Sequence, residues 1–181
     1  MSEMPILQVK NLHTSFFTDA GEVKAVNGIS YNLDRGRVLG IVGESGSGKS
    51  VSAYSVMQIL TDPGRVTEGE ILFKGENILK YSPQQMAAFR GSKISIIFQD
   101  PMTSLNPVFT IGSQLREAIR IHTDRNKEQI QARALEMLQL VGVNEPEKRL
   151  KQYPHELSGG MRQRVMIAMA LACKPKIRIA D

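Results

Sequence analysis

The feature that most constrains this chain is a glycine-rich loop between a short apolar run and a helical pattern. The loop reads Gly43-Glu44-Ser45-Gly46-Ser47-Gly48-Lys49-Ser50 and matches the pattern GxxxxGK[ST]. Glycines let the backbone turn sharply, so that successive N–H groups form a concave nest for phosphate oxygens, and the following helix N-terminus adds positive partial charge. The pattern therefore predicts a phosphate site in which Lys49 reaches the β- and γ-phosphates and Ser50 ligates Mg²⁺. An ordinary strand-to-helix turn is the alternative.

Composition excludes several other classes of protein. The 181 residues include 41% hydrophobic and 23% charged residues, which is typical of a globular chain and not of a disordered one. The longest apolar run, Val165–Cys173, is far shorter than the ~20 residues that span a bilayer. Met1–Lys10 lacks the apolar core of a secretory signal, and the single cysteine allows no internal disulfide, which favours a reducing, cytoplasmic location.

Charge alone does not identify a partner. The formal net charge is +5 and the pI is about 9.4, values that permit contact with nucleic acid or an anionic membrane. The cations are scattered, however, and Arg162 and Arg164 are interpreted as solvated helix faces or subunit contacts. His13, His122 and His155 have no metal-ligand spacing, and Cys173 is interpreted as a small buried apolar residue.

Hydrophobic periodicity predicts a strand-rich first half followed by a helical block and a return to strand. The predicted strands are Ile6–Phe16, Lys24–Leu33, Val38–Val42 (buried on both faces), Ile71–Phe73, Ile94–Phe98 and Ile177–Ala180. The predicted helices begin at Lys49, after the N-cap Ser82, at about Thr110, before Ile130 with a C-cap at Gly142, and at Ser158, the last running to about Cys173.

A second motif opens the last helix. Leu157-Ser158-Gly159-Gly160-Met161-Arg162-Gln163-Arg164 combines a serine that can cap the helix with two glycines that leave backbone N–H groups accessible to an anion. By itself this pattern also fits an ordinary capped helix. Its meaning changes when it follows the phosphate loop and the stretch from Gln99 to Pro107, QDPMTSLNP.

Together these segments, ending in an apolar strand and Asp181, resemble the ATP-binding cassette (ABC) ATPase family. Met161 and Ile167–Ala170 are similar to the dipeptide/oligopeptide and nickel importer ATPases. The resemblance implies an α/β P-loop NTPase fold of the ABC type, with an N-terminal antiparallel β subdomain, an inserted helical subdomain and the C-terminal part of the core missing. It implies one incomplete domain over residues 1–181, made of a β-rich P-loop core (1–107), a helical subdomain with the signature motif (108–173) and the start of the Walker B strand (174–181).

The resemblance also assigns roles to residues. Gly43–Ser50 would hold ATP, Phe16 would stack on adenine with Phe17 as competing candidate, and Ser158, Gly159 and Gly160 would touch the γ-phosphate of a partner's ATP. Gln99 would sense that phosphate and Mg²⁺ as an accessory to catalysis. The implied metal ligands are Ser50, Gln99 and Asp181.

Two departures from the family pattern stand out. Arg178 lies inside the Walker B strand, where a buried unpaired charge would be costly, so it is expected either to face solvent or to mark an altered end. The family's catalytic glutamate would follow Asp181 and its switch histidine would lie on a later strand, and the sequence given stops at Asp181. The expectation is therefore that the 181 residues bind nucleotide but are inactive or nearly so by themselves.

The resemblance implies an ATPase subunit that powers peptide import from the cytoplasmic face of the membrane. Its partners would be two transmembrane permease subunits, a second, non-identical ABC ATPase in a head-to-tail sandwich and, indirectly, an extracytoplasmic solute-binding protein. The alternatives are a nucleotide-binding fragment without turnover, an importer ATPase for nickel or another small solute, and an ABC ATPase acting on nucleic acid. The last is disfavoured because basic patches interleaved with aromatics are absent from the sequence.

Overall fold

The computed structural model describes residues 4–100 and 104–181, and the Pro101-Met102-Thr103 part of the QDPMTSLNP stretch lies outside them. The chain divides into two compact units, one up to Ala87 and one from Ala88 onward. Each unit carries part of the residues implicated by the sequence. The resemblance predicts a different division, into a P-loop core (1–107), a helical subdomain (108–173) and the start of the Walker B strand (174–181). That division stays a prediction.

The N-terminal unit is built on an antiparallel sheet with the strand order β2-β1-β3-β4. Its strands are β1 (Leu7–Thr18), β2 (Gly21–Leu33), β3 (Gly64–Phe73) and β4 (Glu76–Asn77). β1 and β2 confirm the predicted strands, whereas β3 begins at Gly64, seven residues before the predicted start at Ile71. On β1 the alternation of buried residues holds at Leu7 and Val9 and is interrupted by an irregularity in register before Leu12. A short 3-10 helix, Ile78–Lys80, and helix α2, Pro83–Phe89, follow the sheet.

Helix α1 (Lys49–Met57) packs on this sheet directly after the glycine-rich loop. The hydroxyls of Thr14 on β1 and Ser55 on α1 are 2.8 Å apart and buried, which fixes the helix against the strand. The helix starts at the predicted Lys49 and ends at Met57, because Gln58 adopts a left-handed conformation with φ 49°. The Gln58 side-chain amide donates to the Ile78 carbonyl at 2.5 Å, which holds this end in place.

The predicted strand Val38–Val42 is wrong. The segment has no regular secondary structure, and Val38 and Val42 are 98% and 96% exposed. A strand buried on both faces obtains its hydrogen bonds and its cover from neighbouring strands. None of the strands within residues 4–100 and 104–181 pairs with this run, so its apolar side chains stay in contact with solvent.

The C-terminal unit combines a two-stranded parallel sheet with a helical block. The strands are β5 (Ile94–Ile97) and β6 (Ile177–Ala180), which pair in register from Ile94–Ile177 to Ile97–Ala180. The helices are α3 (Ile111–His122), α4 (Lys127–Leu140), α5 (Pro146–Arg149) and α6 (Gly159–Leu171), with a 3-10 turn at Pro154–Glu156. These elements confirm the predicted change from strand to helix and back.

Burial and capping explain where these helices lie and where they begin. Their apolar faces form one core that includes Leu115, Leu138 and Val165. Thr110, Asn126 and Ser158 accept hydrogen bonds from backbone N–H groups at the starts of α3, α4 and α6. Within the described residues no helix is long and apolar enough to cross a membrane.

Candidate nucleotide-binding site

The glycine-rich loop wraps around the side chain of Lys49. The Lys49 ammonium donates to the carbonyl oxygens of Gly43 (2.7 Å) and Glu44 (2.6 Å) and lies 3.3 Å from the Ser47 hydroxyl. Gly43 to Ser47 are exposed, so the loop is accessible from solvent. The loop thus holds one positive charge at its own centre, close to the N–H groups that the sequence assigns to phosphate binding.

The start of α1 adds to this positive field. Its N-cap is Gly48, which has no side chain to cap the helix, and its first turn contains no acidic residue. The first N–H groups of a helix have no partner within the helix and carry about half of a unit positive charge. An anion at this end is therefore stabilised by the helix as well as by Lys49.

Two glycines of the loop are required for different reasons. Gly48 has φ 86°, and a Cβ atom there would overlap the backbone carbonyl oxygen of Ala25 on β2. Gly46 has a similar φ of 80°, but a Cβ atom there would meet open space. Gly48 therefore fixes the end of the loop against the sheet, whereas Gly46 only allows the turn.

Phe16 lies on β1, opposite the part of β2 that includes Ala25. It pairs with Val23 on β2, two residues from Ala25, and its ring rests on Gly64, where a Cβ atom would be 2.5 Å from Cε1. The neighbouring Phe17 is covered by the Arg65 guanidinium, whose carbon is 4.1 Å from the ring centroid. Because Arg65 already covers one face of the Phe17 ring, Phe16 is favoured as the residue that stacks on adenine. That role stays a prediction.

Gln99 and Asp181 come together at one edge of the parallel sheet. β5 ends at Ile97 and β6 at Ala180, and the Asp181 N–H donates to the Ile97 carbonyl at 3.0 Å. Gln99 follows in a bend and is exposed. Polar side chains at the carboxyl ends of adjacent parallel strands are a usual arrangement for ligand binding in α/β proteins.

Arg178, the charged residue inside the Walker B strand, is exposed on β6. Its side chain therefore faces solvent, which was one of the two expectations for this position.

The signature segment presents a second exposed helix N-terminus. Ser158 caps α6 by accepting from the Met161 N–H at 3.4 Å. Gly159 and Gly160 are exposed, a Cβ atom at either would meet nothing within 4 Å, and the first turn holds no acidic residue. This end of the helix can therefore approach an anion supplied from outside the chain.

The structure accordingly brings the predicted residues together in three places. The N-terminal unit holds Phe16 and the loop Gly43–Ser50, and the C-terminal unit holds Gln99 with Asp181 at the sheet edge and Ser158 to Gly160 at the start of α6.

The three histidines and the cysteine each contact nearby residues of the fold. The His13 ring lies 3.2 Å from the Asn11 side-chain oxygen, and the ring of His155 stacks on Tyr153. His122 packs against Gly91, and burial lowers the pKa of its imidazole. The Cys173 thiol is half-buried against the Ala118 carbonyl, and burial raises its pKa, so it is protonated at neutral pH.

Sequence reasoning missed a basic pocket in the helical block. A cavity of about 710 Å³ is lined by the residue two positions before α3, by residues of α3 and the α3–α4 connection, and by the start of α4. The lining residues are Phe109, Ser113, Arg116, Glu117, Arg120, Arg125, Lys127 and Ile130. Among the residues that the structure describes, none of the four cations forms an ion pair with a carboxylate. The available signal was the spacing of Arg116 and Arg120, four residues apart on one helix face.

Residues 26–181 match the family model described as ABC transporter. The chain belongs to the ABC transporter family. The oligopeptide transport ATP-binding protein OppD of Bacillus subtilis (strain 168) is 52% identical over 97% of this chain and 49% of that protein. The dipeptide transport ATP-binding protein DppD of Escherichia coli (strain K12) is 48% identical over 98% of this chain and 54% of that protein. The chain thus spans about half the length of the curated relatives it matches.

A solved ABC cassette confirms the predicted fold class. The ATP-binding cassette MJ0796, a dimer in a post-hydrolysis state bound to ADP and Pi, aligns with a TM-score of 0.86 and 28% identity. The alignment covers 97% of this chain and 73% of that one. The resemblance inferred from the GESGSGKS and LSGGMRQR motifs is therefore confirmed at the level of family and fold.

The proposed metal ligands of this ABC chain fit Mg²⁺ chemically. Ser50, Gln99 and Asp181 offer hydroxyl, amide and carboxylate oxygens, the hard donors that Mg²⁺ prefers. The described residues contain no cluster of three or more His, Cys, Asp or Glu side chains that could hold a metal.

Comparing two alanine substitutions tests the contact between the loop and the sheet. Gly48→Ala places a Cβ atom onto the Ala25 carbonyl at a left-handed φ, and we expect it to lower the free energy of unfolding by about 3 kcal/mol. Gly46→Ala, at a similar φ but in open space, should cost about 1 kcal/mol. Urea unfolding of the complete protein measures both values. Equal losses would show that the approach to Ala25 is unimportant.

Proposed function

We propose that this chain is the nucleotide-binding part of an ATPase that powers peptide import through an ABC permease. The observation that carries the proposal is the Lys49 ammonium held inside an exposed loop whose helix has an uncapped N-terminus. The curated relatives named above are peptide transport ATP-binding proteins, which supports peptides as the transported solute.

The chain's own residues would bind and orient the triphosphate. The loop N–H groups and the start of α1 would hold the phosphate oxygens, and Lys49 would neutralise the charge that develops on the β- and γ-phosphates. Mg²⁺, bound by Ser50 and Asp181 with Gln99, would supply further charge neutralisation. Because phosphoryl transfer is accelerated mainly by positioning and charge stabilisation, these contacts define the substrate side of the reaction.

A second ATPase would complete the site. The start of α6 presents Ser158, Gly159 and Gly160 to solvent with open space around both glycines. We infer that this surface contacts the γ-phosphate of ATP held by the partner ATPase, and that the partner returns the same contact. The dimeric state of the MJ0796 cassette supports this arrangement.

The basic pocket between α3 and α4 would receive the permease. Arg116 and Arg120 lie four residues apart on α3, a spacing at which like charges destabilise a helix by about 0.2–0.5 kcal/mol, and such departures from local preference are expected at functional sites. Phe109 is 52% exposed within the same pocket and offers an apolar contact. We infer that a cytoplasmic segment of the permease, carrying carboxylates beside an apolar side chain, docks there on the cytoplasmic face of the membrane.

Two substitutions in the complete protein test the ATPase proposal. Lys49→Ala removes the charge at the loop centre and should weaken ATP binding by about 100-fold, a loss of about 2.7 kcal/mol. Ser158→Arg should leave ATP binding near the wild-type value but stop turnover, because its bulk and charge act on the partner's nucleotide. Equilibrium nucleotide binding and steady-state phosphate release distinguish the two effects. Unchanged ATP affinity in Lys49→Ala would remove the loop from the site.

A charge reversal in the pocket tests the docking surface. Arg120→Glu should reduce the amount of permease that copurifies with the ATPase by about tenfold at low salt, and added salt should weaken the wild-type complex. Lys151→Glu is the matched control, since Lys151 is exposed outside the pocket. Equal behaviour of the two variants would contradict docking at this pocket.

A further inference from the structure

Helix α6 lacks a cation of its own at its negative end. Its last turn contains no basic residue. The charge comes from α4, where Arg133 is only 5% exposed and donates from Nε to the Ala172 carbonyl at 3.0 Å and from Nη2 to the Leu171 carbonyl at 3.4 Å. A cation that bonds the last carbonyls of a helix stabilises that end and opposes its dipole.

The carboxyl end of α4 is capped in the same way by an arginine of α6. The last turn of α4 also contains no basic residue, and Arg164 of α6 donates from Nη1 to the Val141 carbonyl at 2.6 Å. Gly142 leaves room for this guanidinium, because a Cβ atom there would lie 2.8 Å from Nη1. Each helix therefore has its carboxyl end capped by an arginine of the other.

This reciprocal pair fixes the axial position of α6. A shift of one residue along a helix is about 1.5 Å, and a displacement of that size along the bonds of 2.6 Å and 3.0 Å would lengthen both beyond hydrogen-bonding distance. Charge-assisted hydrogen bonds are stronger than neutral ones, and the Arg133 guanidinium is also oriented by Glu136 at 2.7 Å. Ser158 lies at the amino end of the helix that is held in this way.

We infer that Arg133, together with Arg164, is a positioning residue that places Ser158, Gly159 and Gly160 at the height needed to contact the partner's γ-phosphate. The inference rests on the proposed function, in which the start of α6 acts on ATP bound by a second ATPase. Arg133 touches no substrate itself. Its effect is transmitted along α6, a single continuous helix from Gly159 to Leu171.

The test uses the complete ATPase assembled with its partner. Arg133→Gln should lower kcat about tenfold, since displacements near 1 Å at a reacting centre can cost up to about 100-fold. The ATP affinity of this chain's own loop, measured by equilibrium binding, should change less than twofold. Arg133→Lys should restore part of kcat because its ammonium can still reach a carbonyl. If Arg133→Gln prevents folding, Arg164→Gln tests the same inference from the opposite helix end.

A double-mutant cycle with Ser158→Ala separates positioning from general stability. If Arg133 acts through the start of α6, Arg133→Gln should lower kcat by a smaller factor in the Ser158→Ala background than in the wild type. Independent, multiplicative losses would overturn the inference, as would wild-type kcat in Arg133→Gln. Wild-type turnover in Ser158→Ala would instead contradict the proposed function.

Two controls isolate the bonds that matter. Glu136→Gln removes the ion pair of Arg133 but keeps its bonds to Ala172 and Leu171, and it should retain most of kcat. Lys151→Gln changes an exposed cation of the same unit and should match the wild type. A loss in Glu136→Gln as large as that in Arg133→Gln would show that the ion pair, and not the helix cap, is responsible, and would overturn the inference.

Discussion

The contact on which the nucleotide site depends is the close approach of Gly48 to the Ala25 carbonyl. No side chain fits between the two backbones, so the end of the loop and the start of α1 are fixed directly against β2. This contact determines where the uncapped N–H groups of α1 lie. It also fixes the backbone that carries Lys49, whose ammonium returns to the carbonyls of Gly43 and Glu44.

A helix N-terminus is common to the glycine-rich loop and to the signature segment. α1 begins at Gly48, which has no side chain to cap it, whereas Ser158 caps α6 with one side-chain hydrogen bond, and both helices have first turns free of acidic residues. The N–H groups that remain at such helix ends are suited to binding an anion. At α6 the opposite end is capped by Arg133, so a residue remote from the signature segment stabilises the helix that presents Ser158.

The sequence predicted the parts of the site that depend on local backbone chemistry. The loop from Gly43 to Ser50 and the cap at Ser158 depend on glycine conformations and side chain-to-backbone bonds within a few residues. β1 was predicted because its apolar residues partly follow the two-residue period of a strand, whereas only the last three residues of β3 were predicted.

The features that the sequence did not predict depend on contacts between residues that are distant in the sequence. Val38–Val42 has the composition of a buried strand. A strand also needs neighbouring strands to pair with, and none of the strands in the described residues pairs with this run. Arg133 bonds to a carbonyl 39 residues away, and Arg164 to one 23 residues away, so neither contact has a local pattern. The basic pocket combines two helices and their connection, and only the Arg116 and Arg120 spacing was visible beforehand.

The most direct test of the central claim is a comparison of ATP, ADP, AMP and adenosine binding to the wild-type protein. If Lys49 and the start of α1 hold the phosphates, affinity should fall only modestly from ATP to ADP and by about 100-fold or more from ADP to AMP, because Lys49 contacts the β- and γ-phosphates. Isothermal titration calorimetry with Mg²⁺ present provides these affinities. Equal affinity for AMP and ATP would show that the loop does not hold the phosphate chain and would contradict the account.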